Sequence, residues 1–90
     1  MAVIAVKNID QRRVTPTLQE AAEKLDGAEG EMILDFSSVR RVDSSVLQAL
    51  EELARKAEST AVKVVLRGVN VDVYKVFKLV KLTRCFSFLD

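Results

Sequence analysis

The clearest pattern of apolar and polar positions lies in the middle of the chain, between residues 43 and 57. Apolar side chains recur there three and four positions apart, and charged or polar side chains fill most other positions. The apolar set comprises Val46, Leu47, Leu50, Leu53, Ala54 and Ala57. This spacing is typical of a helix with one apolar face. We therefore expect a central amphipathic helix with Leu50 and Leu53 in the core.

Short apolar runs elsewhere in the chain predict β-strands. Such runs, rich in β-branched residues and leucine, occur at residues 2–6, 31–36 and 61–66. A weaker candidate strand lies at 9–14, and an apolar segment at 85–89 is expected to form an edge strand. Strands that alternate with helices predict an α/β fold with at least one parallel pair.

Two further helices are predicted from their start and stop signals. Thr15 and Pro16 form a helix start, because threonine caps the first turn and proline fits the first helical position. Gly27 is expected to end that helix. A third helix is expected to begin near Asp72, with Asn70 or Asp72 as its cap, because apolar residues recur at helical spacing from there.

Length and apolar content limit the architecture. The chain has 90 residues, so we expect residues 1–90 to form a single domain. Its apolar runs are far shorter than the ~20 residues that cross a bilayer, and no signal-peptide pattern is present. We therefore expect a cytoplasmic protein without membrane insertion. The single cysteine, Cys85, cannot form an internal disulfide and is expected to be buried.

The residue types present exclude several kinds of chemistry. The chain contains no histidine, which removes Ser-His-Asp and Cys-His catalysis and most zinc sites, so we expect neither an enzyme nor a metal site. The three glycines are scattered rather than gathered in a phosphate-binding loop, so no cofactor is expected, and nucleotide or small-ligand binding by the turn before the central helix is the weakest interpretation.

Charge gives a weak indication of partners. The net charge is only +1, and no row of aromatic residues accompanies the basic ones, so nucleic acid is not expected as a partner. Basic residues do recur at every third position near the end of the chain, at Lys75, Lys78, Lys81 and Arg84. A solvated helix face explains this spacing, and so does a contact for an acidic partner.

The strongest candidate for a functional site is Asp43, Ser44 and Ser45. Short side-chain oxygens at a helix start accept hydrogen bonds from unpaired N–H groups, so Asp43 and Ser44 are expected to cap the central helix, which should begin at 43–45. One interpretation of the motif is this capping role alone. The other is that a serine in the first turn is phosphorylated, which would add about −1.5 to −2 elementary charges at a partner surface.

Two segments of the sequence resemble a known family. They are ILDFSSVRRVDSSVLQALEELARKA and, further along the chain, VKVVLRGVNVDVYKVFKLVKLTRCFSF. Both are similar to the STAS domain, the fold of bacterial anti-sigma factor antagonists. The resemblance covers about residues 31–89 and is most specific at four places: the strand that ends in Asp35, the turn from Val42 to Ser45, the strand from Val62 to Leu66, and the later helix that closes with Leu82 and Phe86. The resemblance implies an α/β fold with a single-layer mixed β-sheet of four or five strands and helices packed mainly on one side.

The resemblance also implies a non-enzymatic role in the regulation of transcription. In that family a serine kinase that is also the anti-sigma factor phosphorylates the second serine of the motif, which is Ser45 here, with Ser44 as the alternative. The unphosphorylated protein binds this kinase and frees the sigma factor, and phosphorylation disperses the complex. By position, the implied partner-binding residues are Val42, Asp43, Ser44, Ser45, Val46 and Gln48.

A second interpretation of the resemblance involves a transport system. Some similar domains are cytoplasmic subunits of ABC-type lipid transporters, which dock on a permease through the motif surface without phosphorylation. Antagonists commonly have glycine after the acceptor serine, whereas this chain has Val46. A β-branched residue at this point is expected to narrow the approach of a partner's backbone.

Overall fold

The computed structural model describes residues 3–25 and 29–89, over which it contains four β-strands and three α-helices. The strands are β1 (Val3–Asn8), β2 (Glu29–Asp35), β3 (Ala61–Arg67) and β4 (Ser87–Leu89), and the helices are α1 (Val14–Glu23), α2 (Ser44–Glu58) and α3 (Val71–Leu79). Short 3-10 helices at Gln11–Arg13 and Leu82–Arg84 precede α1 and β4. Ala2 and Gly27, predicted to begin a strand and to end a helix, lie outside the described residues.

All four strands lie in one sheet in the order β1-β2-β3-β4, and every neighbouring pair is parallel. A helix connects each strand to the next, and each connection moves one strand further in the same direction. Because such crossovers are almost always right-handed, the three helices pack on the same face. The predicted α/β architecture, with one sheet and helices on one side, is confirmed. The sheet is parallel rather than mixed, because the described chain supplies no antiparallel strand.

Residues 9–14, the weaker candidate strand, instead form the entry into α1. The carboxylate of Asp10 accepts a hydrogen bond from the backbone N–H of Arg12 at 2.9 Å and caps the first 3-10 helix, which runs directly into α1. Helix α1 therefore begins at Val14, before the predicted start. Pro16 lies in its first turn, where a missing N–H breaks no helical hydrogen bond.

The core lies between the sheet and the helices that cover it. Leu50 and Leu53 of α2 are fully buried, as predicted, and belong to the same buried cluster as Leu34, Leu66 and Phe77. The apolar stripe of α2 is therefore the face that packs on the sheet. Within residues 3–25 and 29–89, no helix has the length and apolar character needed to span a bilayer.

The prediction that Cys85 is buried is wrong. This residue lies in the turn between the second 3-10 helix and β4, where it is exposed to solvent. Leu82 and Phe86 occupy the core positions on either side of it. Lys81, with a φ of 63°, adopts the left-handed conformation that reverses the chain after α3.

Parallel strand order brings several loops to one edge of the sheet. The carboxyl ends of the strands and the amino ends of α1, α2 and α3 share this edge, which carries the connections at residues 9–13, 36–43 and 68–70. In open α/β sheets, ligands bind outside the carboxyl ends of the strands. The predicted site at the start of α2 lies at this edge.

Candidate functional site

Helix α2 begins at Ser44, within the predicted interval. Asp43 is its N-cap residue: its backbone is extended, its carboxylate accepts a hydrogen bond from the N–H of Val46 at 3.0 Å, and its carbonyl accepts one from the N–H of Leu47 at 3.0 Å. The predicted role of Asp43 is confirmed. Ser44 does not share it, because its exposed hydroxyl makes no hydrogen bond within the described parts of the chain.

Ser45 borders an open cleft between the start of α1 and the loop before α2. The cleft has a volume of about 590 Å³ and is lined by Gln11, Arg12, Val14, Thr15, Pro16, Arg41, Val42, Asp43, Ser45 and Val46. Ser44 and Gln48, the other two predicted partner-binding residues, are exposed but lie outside the cleft. The two serines therefore differ in setting, since Ser45 shares a concave surface with Arg12 and Arg41.

Val46 stands apart from the other predicted contacts because its side chain is buried, with 5% of its surface exposed. It belongs to the core cluster together with Leu50. Its side chain therefore offers almost no surface to a partner. The β-branched side chain therefore packs into the core, although Val46 still borders the cleft.

A side-chain amide from a distant part of the chain fixes the loop before α2. The Oε1 atom of Gln11 accepts hydrogen bonds from the backbone N–H groups of Arg40, at 2.6 Å, and Arg41, at 3.0 Å. The Nε2 atom of Gln11 donates to the carbonyl of Arg41 at 3.0 Å. Gln11 thus joins the two walls of the cleft. Sequence analysis missed this residue because no local pattern marks its contact.

A second tie connects the same loop to α3. The Nδ2 atom of Asn70 donates to the carbonyl of Val39 at 3.2 Å, and its Oδ1 atom accepts the N–H of Val73 at 2.8 Å. Asn70, rather than Asp72, is therefore the cap of α3.

The turn after β3 also packs against the loop before α2. Gly68, at a φ of 71°, lies so close to Ser37 that an added Cβ would come within 3.0 Å of the serine Cβ.

An ion pair links the carboxyl ends of the two central strands, β2 and β3. The carboxylate of Asp35 lies 3.1 Å from the guanidinium of Arg67 and accepts the backbone N–H of Ser37 at 2.9 Å. Hydrogen bonds from the hydroxyl and the backbone of Ser37, with a smaller effect of Arg67, hold the pKa of Asp35 below its usual value despite partial burial. Asp35 is therefore ionised at neutral pH and supports the loop.

Comparison with known proteins agrees with this geometry. A family model described as "Mlab, STAS domain" matches residues 3–89. The crystal structure of a candidate anti-sigma factor antagonist from Thermotoga maritima superposes with a TM-score of 0.76, covering 98% of this chain and 79% of that chain at 20% identity, which shows a shared fold. No curated protein matches the chain. Because the family model spans nearly the whole sequence, the chain belongs to the STAS domain family.

Proposed function

We propose that this protein is a non-enzymatic regulatory module that binds a protein partner through the first turn of α2 and the adjoining cleft. The observation that carries the proposal is the position of Ser45, whose exposed side chain lies at a helix start and in the same cleft as Arg12 and Arg41. The proposed function is that of an anti-sigma factor antagonist, acting in the cytoplasm on the regulation of transcription.

Phosphorylation of Ser45 is the proposed switch. A phosphate there adds about −1.5 to −2 elementary charges to the binding surface, next to the carboxylate of Asp43. The amino end of α2 and the guanidinium groups in the cleft favour that charge, so the modified side chain is stabilised where it stands. Ser44 is the less favoured acceptor because it lies outside the cleft. Unphosphorylated protein binds its serine kinase partner, and the phosphate releases it.

A second function follows if the surface needs no modification. The arginines of the cleft can pair with acidic side chains of a partner without a phosphate, which suits a cytoplasmic subunit that docks on the permease of an ABC-type lipid transporter. In that case the hydroxyl of Ser45 has no signalling role, and the motif serves only to begin the helix.

One binding experiment separates the two functions. Wild-type protein and the Ser45→Ala, Ser45→Asp and Ser44→Asp variants are immobilised and exposed to soluble and membrane extracts of the native cell. For the switch, we expect a soluble protein kinase to be retained by the wild-type protein and by Ser45→Ala, lost with Ser45→Asp, and kept by the matched control Ser44→Asp. Equal retention of a membrane permease by all four proteins would contradict the switch and support constitutive docking.

A further inference from the structure

Two arginines from distant segments, Arg12 and Arg41, line the cleft, and each has a second arginine next to it in the chain. Arg12 and Arg13 end the first 3-10 helix, and Arg40 and Arg41 lie in the loop before α2. The three hydrogen bonds of Gln11 to the backbone of Arg40 and Arg41 hold the two segments together. We call these four residues the arginine cluster.

One carboxylate of the described chain, that of Asp43, lines the same cleft, but it caps α2 and forms no ion pair with the arginine cluster. All four side chains are exposed, and none forms an ion pair with a carboxylate within residues 3–25 and 29–89. Elsewhere in the same chain, Lys7 pairs with Glu20 and Arg67 pairs with Asp35. Two guanidinium groups and one carboxylate line the cleft, so a net positive charge lies beside the amino end of α2, whose dipole has the same sign.

The lining of the cleft limits the kind of anion that fits. Large exposed apolar side chains of the described chain, such as Leu79 and Val71, lie elsewhere, so the cleft lacks the apolar anchors that seat a protein on a membrane. No aromatic ring lines it, so it offers no surface on which bases could stack. The planar guanidinium group does match the carboxylates of aspartate and glutamate, which it binds through paired hydrogen bonds.

We propose that the arginine cluster binds an acidic segment of the protein partner, with carboxylates paired to Arg12 and Arg41 in the cleft. This inference rests on the proposed partner surface and names the chemistry of what binds there. It also explains the direction of the switch. A phosphate on Ser45 lies in the same cleft and pairs with the same guanidinium groups, so it displaces the acidic segment by occupying its binding groups.

The test uses a defined acidic probe. Isotope-labelled protein is titrated with an acetylated peptide of alternating glutamate and glycine, and amide signals are followed by NMR. The matched probe has glutamine in place of glutamate, and single-stranded oligothymidine represents nucleic acid. Arg12→Gln/Arg41→Gln is compared with Lys75→Gln/Lys78→Gln, which removes the same charge from the exposed face of α3.

We expect the glutamate peptide to shift the amides of residues 11–13 and 40–46. Each arginine removed should weaken binding by about two- to fivefold, the range of exposed ion pairs, whereas the lysine variant should bind as the wild type does. Binding of the glutamate peptide should weaken strongly in about 0.5 M salt, because salt screens charge pairs at the surface. Shifts centred on α3, equal shifts by the glutamine peptide, or tighter binding of oligothymidine at the same amides would overturn the inference.

The result of the peptide titration can be distinguished from the result of the tests of the proposed switch. If Ser45 is never phosphorylated in the cell, peptide binding at residues 40–46 still supports the acidic-segment inference, and only the switch fails. If Ser45→Asp releases a kinase but the glutamate peptide does not bind the arginine cluster, the switch stands and this inference is overturned.

Discussion

Gln11 is the residue on which the shape of the cleft depends most directly. Replacement by alanine removes its three hydrogen bonds to the loop before α2. Each such bond contributes about 0.5–1.5 kcal/mol net, and water can reach this exposed side chain, so the lower part of that range applies. We expect Gln11→Ala to lower the free energy of unfolding by about 1–1.5 kcal/mol, and the melting temperature by about 4–12 °C for a domain of this size.

The matched variant is Gln11→Glu. Glutamate keeps the oxygen that accepts from Arg40 and Arg41 but places a second acceptor, instead of a donor, against the Arg41 carbonyl, so we expect a loss smaller than that of alanine but not zero. The assay is urea unfolding followed by far-UV circular dichroism, with an unchanged m-value required. A loss below about 0.5 kcal/mol for Gln11→Ala, the range of ordinary surface substitutions, would refute the structural role of Gln11.

Three further predictions concern the cap, the core and acid stability. Asp43→Ala should cost about 1 kcal/mol in thermal or urea unfolding, whereas Ser44→Ala should cost less than about 0.5 kcal/mol, and equal losses would contradict the assignment of Asp43 as the sole cap. Leu53→Ala should cost roughly 2–5 kcal/mol, because this side chain is fully buried, and an unchanged urea midpoint would disprove that packing. The pKa of Asp35 is lowered by folding, so its stabilising effect is present above its unfolded pKa and lost as pH falls through its folded pKa. The stability difference between wild-type protein and Asp35→Asn should therefore be largest above about pH 5 and shrink below about pH 4. A difference independent of pH would exclude this role.

Local patterns are enough to predict the parts of the fold that depend on nearby residues. The start of α2 follows from Asp43, whose capping hydrogen bond reaches only three residues along the chain. The apolar face of α2 follows from helical spacing, and Leu50 and Leu53 are indeed buried. Predictions of β3 and α3 succeed for the same reason, since strand composition and the Asn70 cap are both local signals.

The parts that could not be predicted depend on single contacts or on pairs far apart in sequence. Residues 9–14 form a helix entry in which Asp10 accepts the N–H of Arg12, and residue composition does not reveal this. The bonds of Gln11 to Arg40 and Arg41 span 29 and 30 residues. Sequence analysis therefore identified the serine motif but not the arginine cluster that the fold places beside it.

The most direct test of the central proposal is phosphopeptide mapping, with intact mass, of the protein isolated from its native cell with phosphatases inhibited. Wild-type protein is compared with Ser45→Ala and with the matched Ser44→Ala variant. We expect one phosphate on Ser45, lost in Ser45→Ala and retained in Ser44→Ala. A phosphate on Ser44 instead, or none at either serine across growth conditions, would contradict the proposed switch.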